Sequence, residues 1–113
     1  MLAADDKTHI PSIAQIRDSL APLVEKAGAR KAVVFGSYAR GDADGYSDLD
    51  IIIVHDTEKG FFDRASDFQE VRSAWPRSLD MLIYTPDELD KMLEQRRPFI
   101  EIALEEGVVI YEA

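Results

Sequence analysis

Two short groups of residues in this chain are suited to phosphate and metal chemistry. Gly36 and Ser37 end one apolar run, and Asp48 and Asp50 stand at the start of the next. Side chains one residue apart on a strand face the same side, and two carboxylates held together are costly unless a cation lies between them. Mg²⁺ binds carboxylates together with substrate phosphates, and a glycine followed by a hydroxyl residue can approach phosphate oxygens closely. These residues predict a site for a metal-bound nucleoside triphosphate.

The length and composition predict a single domain, residues 1–113, with residues 1–9 as a loose tail. The chain has no cysteine, which excludes a disulfide framework and a thiolate metal site and fits a reducing compartment. The N-terminal segment lacks the apolar run of a signal peptide, and no segment has the length of a membrane span. We therefore expect a cytoplasmic protein with no membrane partner.

The charge balance bears on the class of ligand. The chain carries 22 acidic and 13 basic side chains, for a net charge of −9. A surface of that sign is repelled by a nucleic-acid backbone, so binding to DNA or RNA is disfavoured. A mononucleotide screened by Mg²⁺ meets no such obstacle, and a protein partner also remains compatible.

The apolar pattern predicts the elements that must position these residues. Ser12 caps a helix that ends near Gly28, and Pro22 is expected to kink or divide it. Further helices are predicted at residues 38–40, 61–72, 86–95 and 99–106, and strands at residues 31–35, 49–54, 79–84 and 108–111. The strand at 49–54 is apolar on both faces and is therefore central, whereas the last strand is edge-like. The order predicts an α/β (α+β) fold with a mixed sheet flanked by helices.

The spacing of these residues closely resembles the polymerase-β-like nucleotidyltransferase superfamily. The segment from Gly36 to Gly41, ten residues between Ser37 and Asp48, and the Asp-Leu-Asp that follows match its signature. The length and the Ala-Arg-Gly after Ser37 are most similar to minimal nucleotidyltransferase (MNT) domains. In prokaryotes these are often encoded beside a small helical HEPN protein. The resemblance implies the polymerase-β-like nucleotidyltransferase fold.

The resemblance also implies a set of three carboxylates. Asp48 and Asp50 would bind Mg²⁺, and Asp80 would bind a second ion and help to deprotonate the attacking hydroxyl. Adjacent strands are about 4.8 Å apart, so Asp80 on the neighbouring strand can reach the other two. Two ions can then stabilise the attacking and the leaving oxygen of an in-line displacement. Two Mg²⁺ ions are expected, with Mn²⁺ as a substitute.

The nucleotide would be held by the turn after the first strand. The resemblance assigns Gly36 and Ser37 to the triphosphate. Arg40 matches an arginine typical of the family, and two roles stay open for it: it lies near the phosphates, or it braces the acidic loop that follows.

Three functions are compatible with this reading. The first is transfer of a nucleoside monophosphate, AMP from ATP in preference to another nucleoside triphosphate, to a hydroxyl such as a tyrosine of a HEPN toxin. The chain would then be the antitoxin of a HEPN/MNT toxin–antitoxin pair. The second is a non-catalytic antitoxin that binds its partner by occlusion and keeps a nucleotide pocket. The third is an antibiotic-type, small-molecule nucleotidyltransferase. The acceptor, the base and a homo-oligomeric state are left open.

Overall fold

Four strands and six helical segments make up the fold of the described part of the chain. The structure is a computed structural model that describes residues 9–113; residues 1–8 of the predicted tail lie outside this range. The strands are β1 Lys31–Phe35, β2 Leu49–Val54, β3 Leu79–Tyr84 and β4 Val108–Glu112. The helices are α1 Ile13–Lys26, α2 Ser37–Arg40, a 3₁₀ helix Phe61–Phe68, α3 Gln69–Ala74, α4 Pro86–Glu94 and α5 Pro98–Glu106. Within residues 9–113 no helix combines the length and the apolar character that a bilayer crossing requires.

The strands form one mixed sheet in the order β3-β2-β1-β4. β1 is antiparallel to both β2 and β4, whereas β2 and β3 are parallel. The mixed sheet, the central place of β2 and the edge place of β4 were predicted from the sequence, and all three are confirmed. The parallel pair needs a crossover, which the 3₁₀ helix and α3 provide.

Helices cover both faces of the sheet. On one face, Ile51 and Ile53 of β2 belong to the core that contains the buried side chains of α1 and α3. On the other, Phe35 and Ile52 pack with Ile100 and Ala103 of α5. Alternate residues of a strand face opposite sides, so Asp50 shares the second face with Ile52. The acidic residues of β2 therefore lie on the side of the sheet that carries α5.

Helix α1 begins at the predicted residue, and Pro22 was predicted to kink or divide it. Ser12 forms a capping box with Gln15: its hydroxyl accepts from the Gln15 N–H at 3.2 Å, and the Gln15 side chain accepts from the Ser12 N–H at 2.9 Å. Pro22 does not divide the helix, which runs unbroken from Ile13 to Lys26. Fully buried side chains before and after Pro22 in the sequence pack the helix against the sheet. Their burial offsets the one hydrogen bond that a proline removes.

The α-helix predicted over residues 61–72 is wrong in kind. Residues Phe61–Phe68 form a 3₁₀ helix, and α3 follows after a non-helical joint at Phe68, with φ −123° and ψ 32°. Long-range contacts fix this segment: Phe68 is buried edge-on against His55, and Arg64 is held by β3 and α4. Local periodicity carries no signal for contacts of that kind.

Arg64 is the buried cation that joins the 3₁₀ helix to β3 and α4. It is 5% exposed. Its Nη1 donates to the Ile83 carbonyl at 2.9 Å, and both terminal nitrogens donate to the carboxylate of Glu88, at 2.6 and 3.0 Å. Glu88 also accepts from the Thr85 N–H at 2.9 Å. The bonds from Arg64 and Thr85 lower the pKa of Glu88 to about 2.

We expect Glu88→Gln to lower the free energy of unfolding at neutral pH by on the order of 1–2 kcal/mol, because Arg64 loses its charged partner at a site that water partly reaches. In the wild type, this stabilisation should be fully present above pH 4.5, the ordinary pKa of glutamate. It should be lost as the pH falls toward the lowered pKa of Glu88, about 2. Urea unfolding at neutral pH and near pH 3 measures both effects. Glu94→Gln, at an exposed position of the same helix, is the control. Equal stability of the two variants at neutral pH would contradict the prediction.

Candidate active site

A cavity of about 380 Å³ lies where β1 ends and β2 begins. Its lining comes from β1, α2, the segment before β2, β2 itself and α5: Phe35, Gly36, Ser37, Arg40, Ser47, Asp48, Asp50, Phe99, Ile102, Ala103 and Glu106. Five of the six site residues predicted from the sequence are in this set. Asp80, the sixth, lies outside the lining of the cavity, on the neighbouring strand.

The three predicted carboxylates lie close enough to affect one another. Asp50 and Asp80 are direct partners in the parallel pairing of β2 with β3, so their side chains face the same side of the sheet. Asp50 is half-buried, whereas Asp48 and Asp80 are exposed. Burial raises the pKa of Asp50, and the negative charges of Asp80 and Asp48 raise it further, whereas Arg40 lowers it. The ionised form of Asp50 is therefore less stable than that of a free aspartate.

The donor set fits a hard divalent cation, although the protein does not form the site alone. Within the part of the chain that the structure describes, no three acidic or histidine side chains are grouped closely enough to hold a metal ion. Mutual repulsion keeps carboxylates apart, and Mg²⁺ takes only one or two of them together with phosphate oxygens and water. Carboxylate oxygens in a negatively charged environment are the ligands that such an ion prefers.

Gly36 brings the turn after β1 against Asp50. Its backbone has φ 75° and ψ −151°, a conformation that L-residues rarely adopt. A Cβ atom built at this position would collide with the Oδ2 atom of Asp50. Glycine is therefore required here for two reasons, the backbone angle and the space that the carboxylate occupies.

Helix α2 is a single turn that presents Ser37 and Arg40 to the cavity. Tyr38 anchors it: this side chain is buried, and its ring packs edge-on against Trp75 with centroids 5.3 Å apart. Gly41 ends the turn with φ 85°, and its N–H donates to the Ser37 carbonyl at 3.0 Å. Residues three apart lie on one side of a helix, so Ser37 and Arg40 project together. The buried Tyr38 fixes the orientation of the helix and therefore of these two side chains.

Arg40 braces the acidic loop, which is one of the two roles left open by the sequence. Its Nε donates to Asp42 at 3.3 Å, and its Nη1 donates to both carboxylate oxygens of Glu106 at 3.3 Å. It also lines the cavity. A contact with phosphate remains a prediction for this residue.

Two features of the cavity were not predicted from the sequence. Glu106, at the end of α5, accepts from the Gly36 N–H at 3.0 Å although the two residues are 70 positions apart. Phe99 and Ile102 form an apolar wall and stay 54% and 58% exposed. Only the apolar residues of the predicted helix over 99–106 hinted at such a wall, and no local signal pointed to Glu106.

We expect Gly36→Ala to destabilise the protein by about 1–3 kcal/mol, because the methyl group must displace Asp50 in addition to the cost of the backbone angle. Gly28→Ala is the matched control: Gly28 has φ 87°, but a Cβ there meets no atom within 4 Å. Chemical unfolding of both variants separates collision from backbone strain. An equal loss in the two variants would show that the collision with Asp50 is not real.

We expect Asp80→Asn to bring the pKa of Asp50 down toward its ordinary value of 3.8, because one neighbouring negative charge is removed. In the wild type, stability should fall as the pH rises from that value through the raised pKa, since the folded state holds the Asp50 proton more tightly. Asp80→Asn should reduce this fall. NMR titration of the Asp50 carboxyl measures the shift. Asp90→Asn, an exposed change on α4, should leave the titration of Asp50 unaltered, and an equal effect of both variants would contradict the assignment.

Comparison with known proteins agrees with this architecture. Residues 13–111 match the family described as the nucleotidyltransferase domain. A protein of Methanocaldococcus jannaschii that is named as a protein adenylyltransferase is 30% identical over 73 residues, which cover 65% of this chain and 78% of that protein. A crystal structure described as a toxin–antitoxin with AMP-PNP has a TM-score of 0.63 at 18% identity, over 86% of this chain and 73% of that one, and so shares the fold. The family match runs from the start of α1 into β4, so the chain belongs to the nucleotidyltransferase domain family, with the polymerase-β-like fold.

Proposed function

We propose that this nucleotidyltransferase transfers AMP from ATP to a hydroxyl of a protein partner, plausibly a tyrosine of a HEPN toxin, and so acts as an antitoxin. The observation that carries the proposal is the placement of Asp50, in register with Asp80 and directly against the Gly36 turn. The name of the M. jannaschii relative supports protein adenylylation. The description of the structural neighbour supports a toxin–antitoxin setting and an adenine nucleotide.

In this proposal the triphosphate lies along the turn at the end of β1. The Ser37 hydroxyl contacts its phosphate oxygens, and Gly36, whose N–H is bound to Glu106, lets them approach the turn because it carries no side chain. Asp48 and Asp50 hold the Mg²⁺ that accompanies ATP, with Mn²⁺ able to replace it. When bound, the ion neutralises negative charge on the triphosphate and on the departing pyrophosphate.

Asp80 acts on the acceptor. Its carboxylate accepts the proton of the acceptor hydroxyl, whose oxygen attacks the α-phosphorus. A new oxygen–phosphorus bond forms while the bond to pyrophosphate breaks, so that AMP remains on the acceptor and pyrophosphate leaves. General-base help of this kind is typically worth 10²–10⁴-fold in rate.

The apolar wall of the cavity suits the adenine base. Phe99 is held edge-on against Phe35, with ring centroids 5.7 Å apart, and keeps half of its surface exposed. Ligand pockets commonly combine such apolar surface with a few polar groups that fix orientation. A base packed on this wall would leave the phosphates over Ser37.

Occlusion without catalysis is the second candidate function. The strong negative charge of the chain favours a basic partner under both functions. Occlusion alone, however, requires no third carboxylate. The alignment of Asp80 with Asp50, which lines the cavity, favours an enzyme. We therefore favour transfer over occlusion, and over a small-molecule acceptor.

The two functions separate on Asp80→Asn. If transfer is the function, this variant should bind ATP with Mg²⁺ nearly as well as the wild type but lose transfer by 10²-fold or more. Asp48→Asn should lose binding as well, because it removes a ligand of the ion. Calorimetry measures binding, and the intact mass of the protein encoded beside this chain, after incubation with ATP, measures transfer.

Asp90→Asn is the charge-matched control for this experiment and should behave as the wild type. An unchanged partner mass with the wild type, together with equal protection from the toxin by the wild type and Asp80→Asn, would instead establish occlusion. Equal affinity for ATP in the presence of EDTA would contradict the role given to Asp48 and Asp50.

A further inference from the structure

We propose that Glu106 is a positioning residue of the nucleotide site, which holds both ends of the Gly36–Arg40 turn in the geometry that the phosphates require. The inference rests on the proposed function, because it assigns phosphate binding to this turn. Glu106 lies outside the signature of the superfamily and is brought to the site only by the fold.

The contacts of Glu106 reach the two ends of one helical turn. Its Oε1 atom accepts from the Gly36 N–H at 3.0 Å, at the start of α2. Both of its oxygens accept from Nη1 of Arg40 at 3.3 Å, at the end of α2. The Glu106 side chain is 23% exposed. Bonds to an ionised acceptor are stronger than neutral ones, so one carboxylate restrains the whole turn.

The backbone next to Glu106 is itself fixed. A Cβ atom at Gly107 would clash with the side chain of Val33 and with the Ala103 carbonyl oxygen, so the chain passes β1 too closely for any residue but glycine. Ile100 and Ala103 of α5 are buried against the same sheet face. The end of α5 is therefore seated on β1, and Glu106 projects from a rigid base toward the turn.

The alternative is that Glu106 occupies the place of a phosphate and blocks the site. The remaining donors argue against this. Within residues 9–113, Nη2 of Arg40 and the hydroxyl of Ser37 form no hydrogen bond to another residue. Glu106 takes the N–H of Gly36 and one nitrogen of Arg40, and it leaves these two donors available on residues that line the cavity.

The test compares Glu106→Ala, Glu106→Gln and Glu105→Ala for binding of ATP with Mg²⁺ by calorimetry. We expect about tenfold weaker binding for Glu106→Ala, since two charge-assisted contacts are lost. Glu106→Gln should recover most of the affinity, because its amide oxygen can still accept from Gly36. Glu105→Ala changes an exposed carboxylate one residue away and should bind as the wild type does. Thermal unfolding confirms that each variant is folded.

A second measurement needs no nucleotide. Amide hydrogen exchange at Gly36 should be faster in Glu106→Ala than in the wild type or in Glu105→Ala. In Glu106→Gln the exchange should be slower than in Glu106→Ala, because the amide oxygen can still accept from the Gly36 N–H. Tighter ATP binding by Glu106→Ala would show that the carboxylate blocks the site, and would overturn the inference. Unchanged affinity and unchanged exchange would overturn it as well. A wild type that fails to bind ATP would defeat the proposed function, while the exchange result would still decide whether Glu106 holds the turn.

Discussion

The parallel pairing of β2 with β3 is the constraint on which the site depends. It sets Asp50 beside Asp80 in the same register that aligns the apolar residues of both strands. A slip of one residue would turn the buried isoleucines of β2 to the opposite faces and break both cores, so packing fixes the register. Packing of the hydrophobic core thereby keeps two negative side chains close to each other, whereas a flexible loop would let them move apart.

The turn after β1 depends on a different kind of restraint. Tyr38 anchors it from the α1 side of the sheet, and Glu106 reaches it from the α5 side. Gly36 lies between these restraints, pressed against Asp50. Both layers of the fold thus contribute to one short segment, although the sequence motif reveals the segment and not the contacts that restrain it.

The sequence predicts what short-range patterns encode. The apolar runs that became β1, β2 and β3 have the predicted bounds, and α1, capped by Ser12, and α4 begin where expected. Contacts between distant residues account for what was wrong or missed. The burial of Phe68 and Arg64 produces a 3₁₀ helix in place of an α-helix, the seating of α1 keeps it continuous through Pro22, and Glu106 meets Gly36 only in the folded chain.

The position of β3 at the border of the sheet has a consequence for the size of the acceptor. Among the strands of residues 9–113, β3 has a neighbour on one side only, and its Asp80 is exposed, outside the cavity that Asp50 lines. In the proposed reaction, the nucleotide lies in the cavity, while the carboxylate that receives the acceptor's proton is exposed outside it. A folded macromolecule can therefore offer a single side chain at this border without threading a segment into a cleft. This position of Asp80 limits how far the acceptor residue must protrude from its own molecule. It places no restriction on the size of that molecule.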